Sequence, residues 1–340
     1  MNLTAIDYHG GGVFRQRTYQ PTAPGPGHVS IDVAFTGICG TDLKIAHGAM
    51  DHRFSAPWPI GHEMAGTIDA IGPDVTEWLP GDKVTVMPLS WCNDCAACAR
   101  GHNHVCQNLV FVGIDSPGSL QQRWNVPAGL LVRIPDDLRL DHAALAEPTA
   151  VAVHDVRRGE VAPSDQVVVI GGGPIGILIA LVARNSGGDV LVSEVSPFRR
   201  ELVADLGFRT IDPSVDDLST VVDGWSDGKG ADVAFEVSGS AAGVRALTDV
   251  LAVRGRGVVV AIHTEPIPID LMAAFWKELN IRGARVYERK DFEAAVTLLA
   301  DGIIPAESMI SGIVPLEQAG GAFERLSSAE NVVKLLVDSR

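Results

Sequence analysis

The chain contains only five cysteines in 340 residues, and four of them, Cys92, Cys95, Cys98 and Cys106, fall within WCNDCAACARGHNHVC. The C-x2-C-x2-C-x7-C spacing presents four thiolates from one loop, the donor set of a closed tetrahedral zinc site that leaves substrate no position. Such a site is structural, pinning a lobe that lacks its own core. Two rivals are weaker. A disulfide framework belongs to short secreted chains, and a ferredoxin-type cluster motif continues x3-C-P, whereas here the fourth cysteine comes later and Gln107 follows it. The fifth cysteine, Cys39, lies in GICGTDLKIAHG; His62 and Glu63 lie in PIGHEMAG and Glu147 in LAEPTAV. Singly these are weak signals, because a lone cysteine is usually a small buried hydrophobe and a lone histidine a satisfied one. Together, a thiolate, an imidazole and a carboxylate with water in the fourth place make an open, catalytic zinc site.

A second chemistry is carried by VVVIGGGPIG, which sets Gly171, Gly173 and Gly176 in G-x-G-x-x-G spacing after a strand pattern and, through Pro174 and Ile175, into a helix pattern. The glycines allow a tight turn, close approach of backbone to a pyrophosphate, and close helix-to-strand packing, with the helix N-terminus facing the phosphates. Glu194, 18 residues beyond Gly176 at the end of the next strand pattern, can accept hydrogen bonds from ribose hydroxyls and repel a 2′-phosphate. That favours NAD, while Arg199 and Arg200 keep NADP as the alternative. Val237, Ser238 and Gly239 in FEVSGS follow another strand pattern and are further candidates for cofactor contact.

These residues need elements to hold them. Up to about residue 150 the chain is rich in Gly, Pro and short β-type runs (HVSIDVAF, MAGTIDAIG, DKVTVM, LLVRIP) broken by turn signals such as PGPGH and LPGD, which predicts an all-β body with irregular loops. From Asp165 onward strand and helix patterns alternate: QVVVI, PIGILIALVARN, DVLVSEV, PFRRELVADLG, ADVAFEV, AAGVRALTDVLA, GRGVVVAI, LNIRGARV. This βαβ rhythm predicts a doubly wound parallel sheet. Two helices and a closing strand, ending in VVKLLVD, are expected at the C-terminal end.

With 46% apolar and 20% charged residues and a length beyond one usual core, the chain reads as a two-domain globular protein. A formal charge of −15 argues against nucleic acid or an anionic membrane as main partner. No signal-peptide pattern or membrane-length apolar run is visible, so a cytoplasmic location is expected.

GICGTD, GHE, the four-cysteine lobe, AEPTAVAVH and GGGPIG occur in the order of the zinc-dependent medium-chain alcohol dehydrogenases, and the whole chain resembles that family. It is most similar to the polyol (sorbitol-type), 2,3-butanediol and threonine dehydrogenase branch, which has glutamate at the position of Glu147. The resemblance implies an α/β protein with a GroES-like β catalytic domain (1–150 and 286–340) holding two zinc ions, and a doubly wound Rossmann domain (151–285) binding NAD. It implies Cys39 and His62 as catalytic zinc ligands, with Glu147 favoured over Glu63 for the third place, and homotetramers or homodimers. Thr41 matches the hydroxyl that accepts the substrate proton; Asp42 reads as a turn residue. The family's usual relay histidine is replaced by Lys44, which weakens a threonine dehydrogenase assignment and leaves His47 as nearest substitute. The loop HRFSAPWP with His52 and Arg53, together with Ser90 and Trp91, is expected to help line the substrate site. The implied activity is hydride transfer between NAD and a secondary alcohol, diol or polyol. Alternatives are a threonine-type or aldose dehydrogenase, a zinc-free enone or quinone reductase, or a non-catalytic nucleotide-sensing protein with structural zinc.

Overall fold

The computed structural model describes residues 2–54, 57–328 and 331–340. The chain divides into two compact units, Met1–Glu147 with Glu288–Arg340, and Pro148–Tyr287.

In the first unit the long strand His28–Gly37 is the organiser. It pairs antiparallel with Glu63–Ile71, with Arg123–Pro127 and with Lys334–Asp338, so the last strand of the chain joins a sheet begun near its start. Lys83–Val86 and Leu131–Arg133 extend the sheet beyond Glu63–Ile71, and Ile310–Pro315 extends it beyond Lys334–Asp338. Two apolar clusters flank this framework. One gathers Val29, Ile31, Met64, Trp124 and Val126; the other gathers Tyr8, Ile38, Ile45, Ile60 and Leu335. The second cluster fixes the short helix Gly40–Ala46, because Ile38 precedes it and Ile45 is its fully buried face.

The second unit is a six-stranded parallel sheet in the spatial order Arg209–Ile211, Asp189–Ser193, Gln166–Ile170, Ala231–Glu236, Leu251–Val259, Asn280–Gly283. Strands such as QVVVI are continuous apolar runs because helices cover both faces of a parallel sheet. The strand order reverses between Gln166–Ile170 and Ala231–Glu236, and such a switch point is where open α/β sheets bind ligands, at the carboxyl ends of the strands. One boundary differs from the pattern: AAGVRALTDVLA is helical only through Val250, and Leu251 already begins the next strand. Leu251 and Ala252 are apolar in either register, and pairing with Ala231–Glu236 decides for the strand.

Candidate functional site

The four lobe cysteines are all free thiols whose sulfurs lie within 4.8 Å of one another. Cys106 Sγ is 3.4 Å from Cys92 Sγ and 3.8 Å from Cys95 Sγ, too far for disulfides. Arms of ~2.3 Å give a zinc tetrahedron edges near ~3.8 Å, so the set fits one zinc ion. Backbone N–H groups already point at these sulfurs: Cys92 and Asn108 donate to Cys106 Sγ at 3.4 and 3.3 Å, and Gln107 donates to Cys95 Sγ at 3.5 Å. Donation from the Cys98 and Gln107 backbones depresses the Cys95 thiol to about 6, whereas burial and the neighbouring thiols push Cys98 up to about 12. Four thiolates this close ionise together only around a cation, so metal uptake and proton release are coupled.

The second donor set is assembled from separate parts of the first unit. Cys39 caps the N-terminus of Gly40–Ala46, its Sγ accepting from the N–H of Thr41 at 3.5 Å. His62 follows Gly61, which adopts φ +105°; a side chain there would also press on Ser119 Oγ and Thr36 Cγ2 at 2.9 Å. Glycine is therefore needed to bring His62 inward. One donor atom from each of Cys39, His62 and Glu63 lies within 4.8 Å of the others. Glu147, buried near the start of the helix Ala146–Gly159, falls outside that donor group, although its charge acts on Lys334.

Asp42 and Lys334 work behind these ligands, and neither was singled out for such a role from the sequence. Asp42 Oδ2 accepts from the N–H of Cys39 at 2.9 Å, while its Oδ1 lies 3.3 Å from His62 Nδ1; both side chains are buried. A carboxylate on one imidazole nitrogen leaves Nε2 for a metal and orients the ring. Burial opposes a charge on His62, but Asp42 and the Cys39 thiol outweigh it and hold the His62 pKa well above its ordinary value, so a metal arriving there displaces a proton. A GTD motif reads equally as a helix cap, and Asp42 does serve as one; only the fold shows that its other oxygen faces a histidine twenty residues on.

Lys334, 4% exposed on the last strand, donates from Nζ to both oxygens of Glu63, at 2.9 and 2.6 Å, and to the carbonyl of Ile38 at 3.1 Å. Burial disfavours its charge, yet Glu63, Cys39 and Glu147 together raise its pKa. A buried cation thus balances the anionic donors. No sequence signal marked it, because a lone lysine in VVKLLVD looks like a solvated strand residue.

The remaining expected residues are placed as follows. His47 Nε2 meets Ser327 Oγ at 3.1 Å, and Lys44 lies one helical turn beyond Thr41. Arg53 is held in a two-point pair with Asp115, at 2.7 and 2.5 Å. Asp115 in turn accepts from the N–H of Phe111, whose ring meets His62 edge-on at 5.2 Å. His52 shares the 3-10 turn Asp51–Arg53, Ser90 ends a strand paired with Val110, and Trp91 is half-buried. Ser55 and Ala56 of HRFSAPWP lie outside the described residues.

In the second unit, the helix Pro174–Asn185 starts with Gly173 as its cap and Pro174 in its first turn. A side chain at Gly176 would collide with the carbonyl oxygen of Gly171, so the loop and helix pack at glycine distance there. A Cβ at Gly173 would meet nothing nearer than Arg199 Nη1 at 3.8 Å, which leaves the approach to this helix N-terminus open for phosphate. Glu194 is 6% exposed; its two oxygens accept from the N–H of Gly172 and of Ser196, both at 2.7 Å, keeping lone pairs for a ribose diol. Arg199 Nη1 is 4.0 Å from Glu194, while Arg200 is committed to Asp212 at 2.8 Å and to the carbonyls of Glu194 and Val195. Val237 donates to the Ile170 carbonyl at 2.9 Å and Ser238 Oγ to Glu236 at 2.6 Å, which sets their loop beside Gly171.

Residues 25–136 match the family model of the alcohol dehydrogenase GroES-like domain, and residues 174–301 that of the zinc-binding dehydrogenases. The chain is 45% identical to a 2-dehydro-3-deoxy-L-galactonate 5-dehydrogenase of Pseudoalteromonas atlantica, over 99% of this chain and 98% of the relative. It belongs to the zinc-dependent medium-chain dehydrogenases, in their polyol branch. An L-galactonate-5-dehydrogenase of Escherichia coli is 31% identical, with coverage of 92% and 91%. A zinc-binding dehydrogenase of Sinorhizobium meliloti solved with NADP superposes with a TM-score of 0.92 at 29% identity, covering 99% of each chain. This medium-chain dehydrogenase is accordingly a zinc-dependent oxidoreductase of alcohol CH–OH groups that works with a nicotinamide nucleotide, on a GroES-like β fold and a Rossmann fold. Among the described residues no helix is long and apolar enough to cross a membrane.

Proposed function

We propose that the enzyme oxidises a secondary hydroxyl of a polyhydroxylated sugar acid with NAD, in the cytoplasm and as a homodimer or homotetramer. The observation that carries the substrate class is the 45% identity, over almost the full length of both chains, to a relative named for a deoxy-keto sugar acid. In this reading Cys39 and His62 hold the catalytic zinc. Glu147 takes the third place, because both oxygens of Glu63 already accept from Lys334. Cys92, Cys95, Cys98 and Cys106 hold the structural zinc. When bound, zinc lowers the pKa of an alcohol and the nicotinamide accepts the hydride. Asp42 orients His62, Thr41 takes the substrate proton, and Glu194 with the Gly171–Gly176 loop seats the cofactor.

Substrate choice is tested by measuring kcat/KM for sugar acids, neutral polyols, butanediols, threonine and aldoses with NAD and NADP. One charge-assisted hydrogen bond to a carboxylate contributes about 1.5–3 kcal/mol, so a sugar acid should exceed its neutral polyol counterpart roughly 10- to 100-fold. Equal or better turnover of the neutral polyol refutes the sugar-acid reading and leaves the polyol one.

A specific observation favours NADP as the second cofactor reading: Arg199, 40% exposed along its side chain, is the cation nearest Glu194. Glu194→Ala separates the two. If Glu194 selects NAD, the variant binds NAD about tenfold or more weakly and loses discrimination against NADP, since a hydrogen-bonded carboxylate contributes about 1.5–3 kcal/mol. An unchanged NAD/NADP ratio removes Glu194 from cofactor choice.

A further inference from the structure

The helix Leu271–Trp276 departs from the order of the second unit. A crossover helix in a parallel sheet normally buries its apolar stripe on the sheet. This one lies between the strands Leu251–Val259 and Asn280–Gly283 yet has no buried residue. Leu271, Met272, Phe275 and Trp276 are 73%, 68%, 73% and 74% exposed, and Ile262 in the preceding connection is 73% exposed. The segment is nevertheless firmly built. Asp270 caps the helix by accepting from the N–H groups of Met272 and Ala273, at 2.8 and 3.0 Å. Immediately after it, Lys277 Nζ donates to the carbonyls of Thr248, Asp249 and Leu251, at 3.1, 2.8 and 2.8 Å. Anchored at both ends, the helix presents LMAAFW to solvent. Beside it the sheet stops, because Asn280–Gly283 is paired on one side only, with Leu251–Val259.

We propose that this face, the helix Leu271–Trp276 with the free edge of Asn280–Gly283, is where a second copy of the chain docks about a twofold axis. The surface is suited to its own copy in three ways. A strand edge offers main-chain donors and acceptors that an extended strand satisfies, and about a twofold axis an edge is its own complement. Two copies carrying −15 each repel over most approaches, but LMAAFW has no charge and the ions nearby are matched, Arg254 with Glu278 at 2.8 Å and Arg282 with Glu160 at 2.6 Å. The area is also adequate. At roughly 150–250 Å² for an aromatic side chain and somewhat less for an aliphatic one, the five exposed residues present on the order of 600 Å². A standard interface buries ~800 Å² per partner, which the strand edge brings within reach.

The inference rests on the assembly proposed above, and light scattering on the zinc-replete full chain separates the two. A wild-type mass of 36.0 kDa refutes both the assembly and this surface. If wild type assembles, Phe275→Glu/Trp276→Glu should lower its mass to half or less while the far-ultraviolet circular dichroism stays native. A folded variant with wild-type mass refutes this surface alone. Hydrogen exchange on the wild type needs no variant: amides of Asn280–Gly283 should exchange at least tenfold more slowly than those of Arg209–Ile211, the opposite edge of the same sheet. Equal rates at both edges overturn the proposal.

Discussion

Cys39→Ser will lower kcat/KM by about 10³-fold or more while the protein remains folded, because a serine hydroxyl does not ionise to replace a thiolate ligand. Metal-assisted charge stabilisation supplies several kcal/mol, and ~1.4 kcal/mol is a factor of ten in rate. Metal analysis of the same protein should fall from about two zinc ions per chain to about one, since the closed four-thiolate site is untouched. Normal turnover by the serine variant would take Cys39 out of the reaction. The contrasting change, Cys98→Ser, acts on the lobe whose sulfurs sit 3.4–3.8 Å apart, and should lower the melting temperature before it alters chemistry. A Cys98→Ser protein with native melting and no turnover would reverse the roles of the two sites.

Lys334→Met will destabilise the enzyme by about 3–5 kcal/mol, the range for removing one partner of a buried ion pair. The cost arises at Glu63, 1% exposed, which would keep a carboxylate with neither of the two hydrogen bonds it now accepts from Nζ. Denaturant or thermal melting measures the loss. The double variant Lys334→Met/Glu63→Gln should recover part of it, because neither charge is then stranded, and the difference between the cycle arms gives the coupling. The Lys334→Met protein also has Glu63 free of its partner beside Cys39 and His62, so its apo form should bind zinc with altered affinity in a chelator competition. If Lys334→Met melts within about 1 kcal/mol of wild type, the pair does not hold this corner together.

Where ligands are close in the chain, their chemistry was legible in advance. Four cysteines in sixteen residues can reach one ion whatever the rest of the fold does, and the structure brings their sulfurs within 4.8 Å. The glycine loop was equally readable, since strand, turn and helix are contiguous and Glu194 lies one βα unit later. The parallel sheet also followed from alternating apolar periods, which are local properties of segments.

Whatever depends on contacts distant in sequence had to wait for the fold. The sequence by itself determined the family, the α/β class, the lobe and the residue types able to hold a second metal. Only the tertiary structure decided that Lys334 occupies both oxygens of Glu63 across 271 positions, that one oxygen of Asp42 serves His62, and that Arg53 is spent on Asp115. Likewise, IDLMAAFW shows no period that distinguishes a buried helix from an exposed one. Its exposure follows from the anchoring of Lys277 and from the place where the sheet ends. The physical reason is the same throughout: burial and ion pairing are set by which strands become neighbours, and a residue's type and local spacing carry no record of its distant partner.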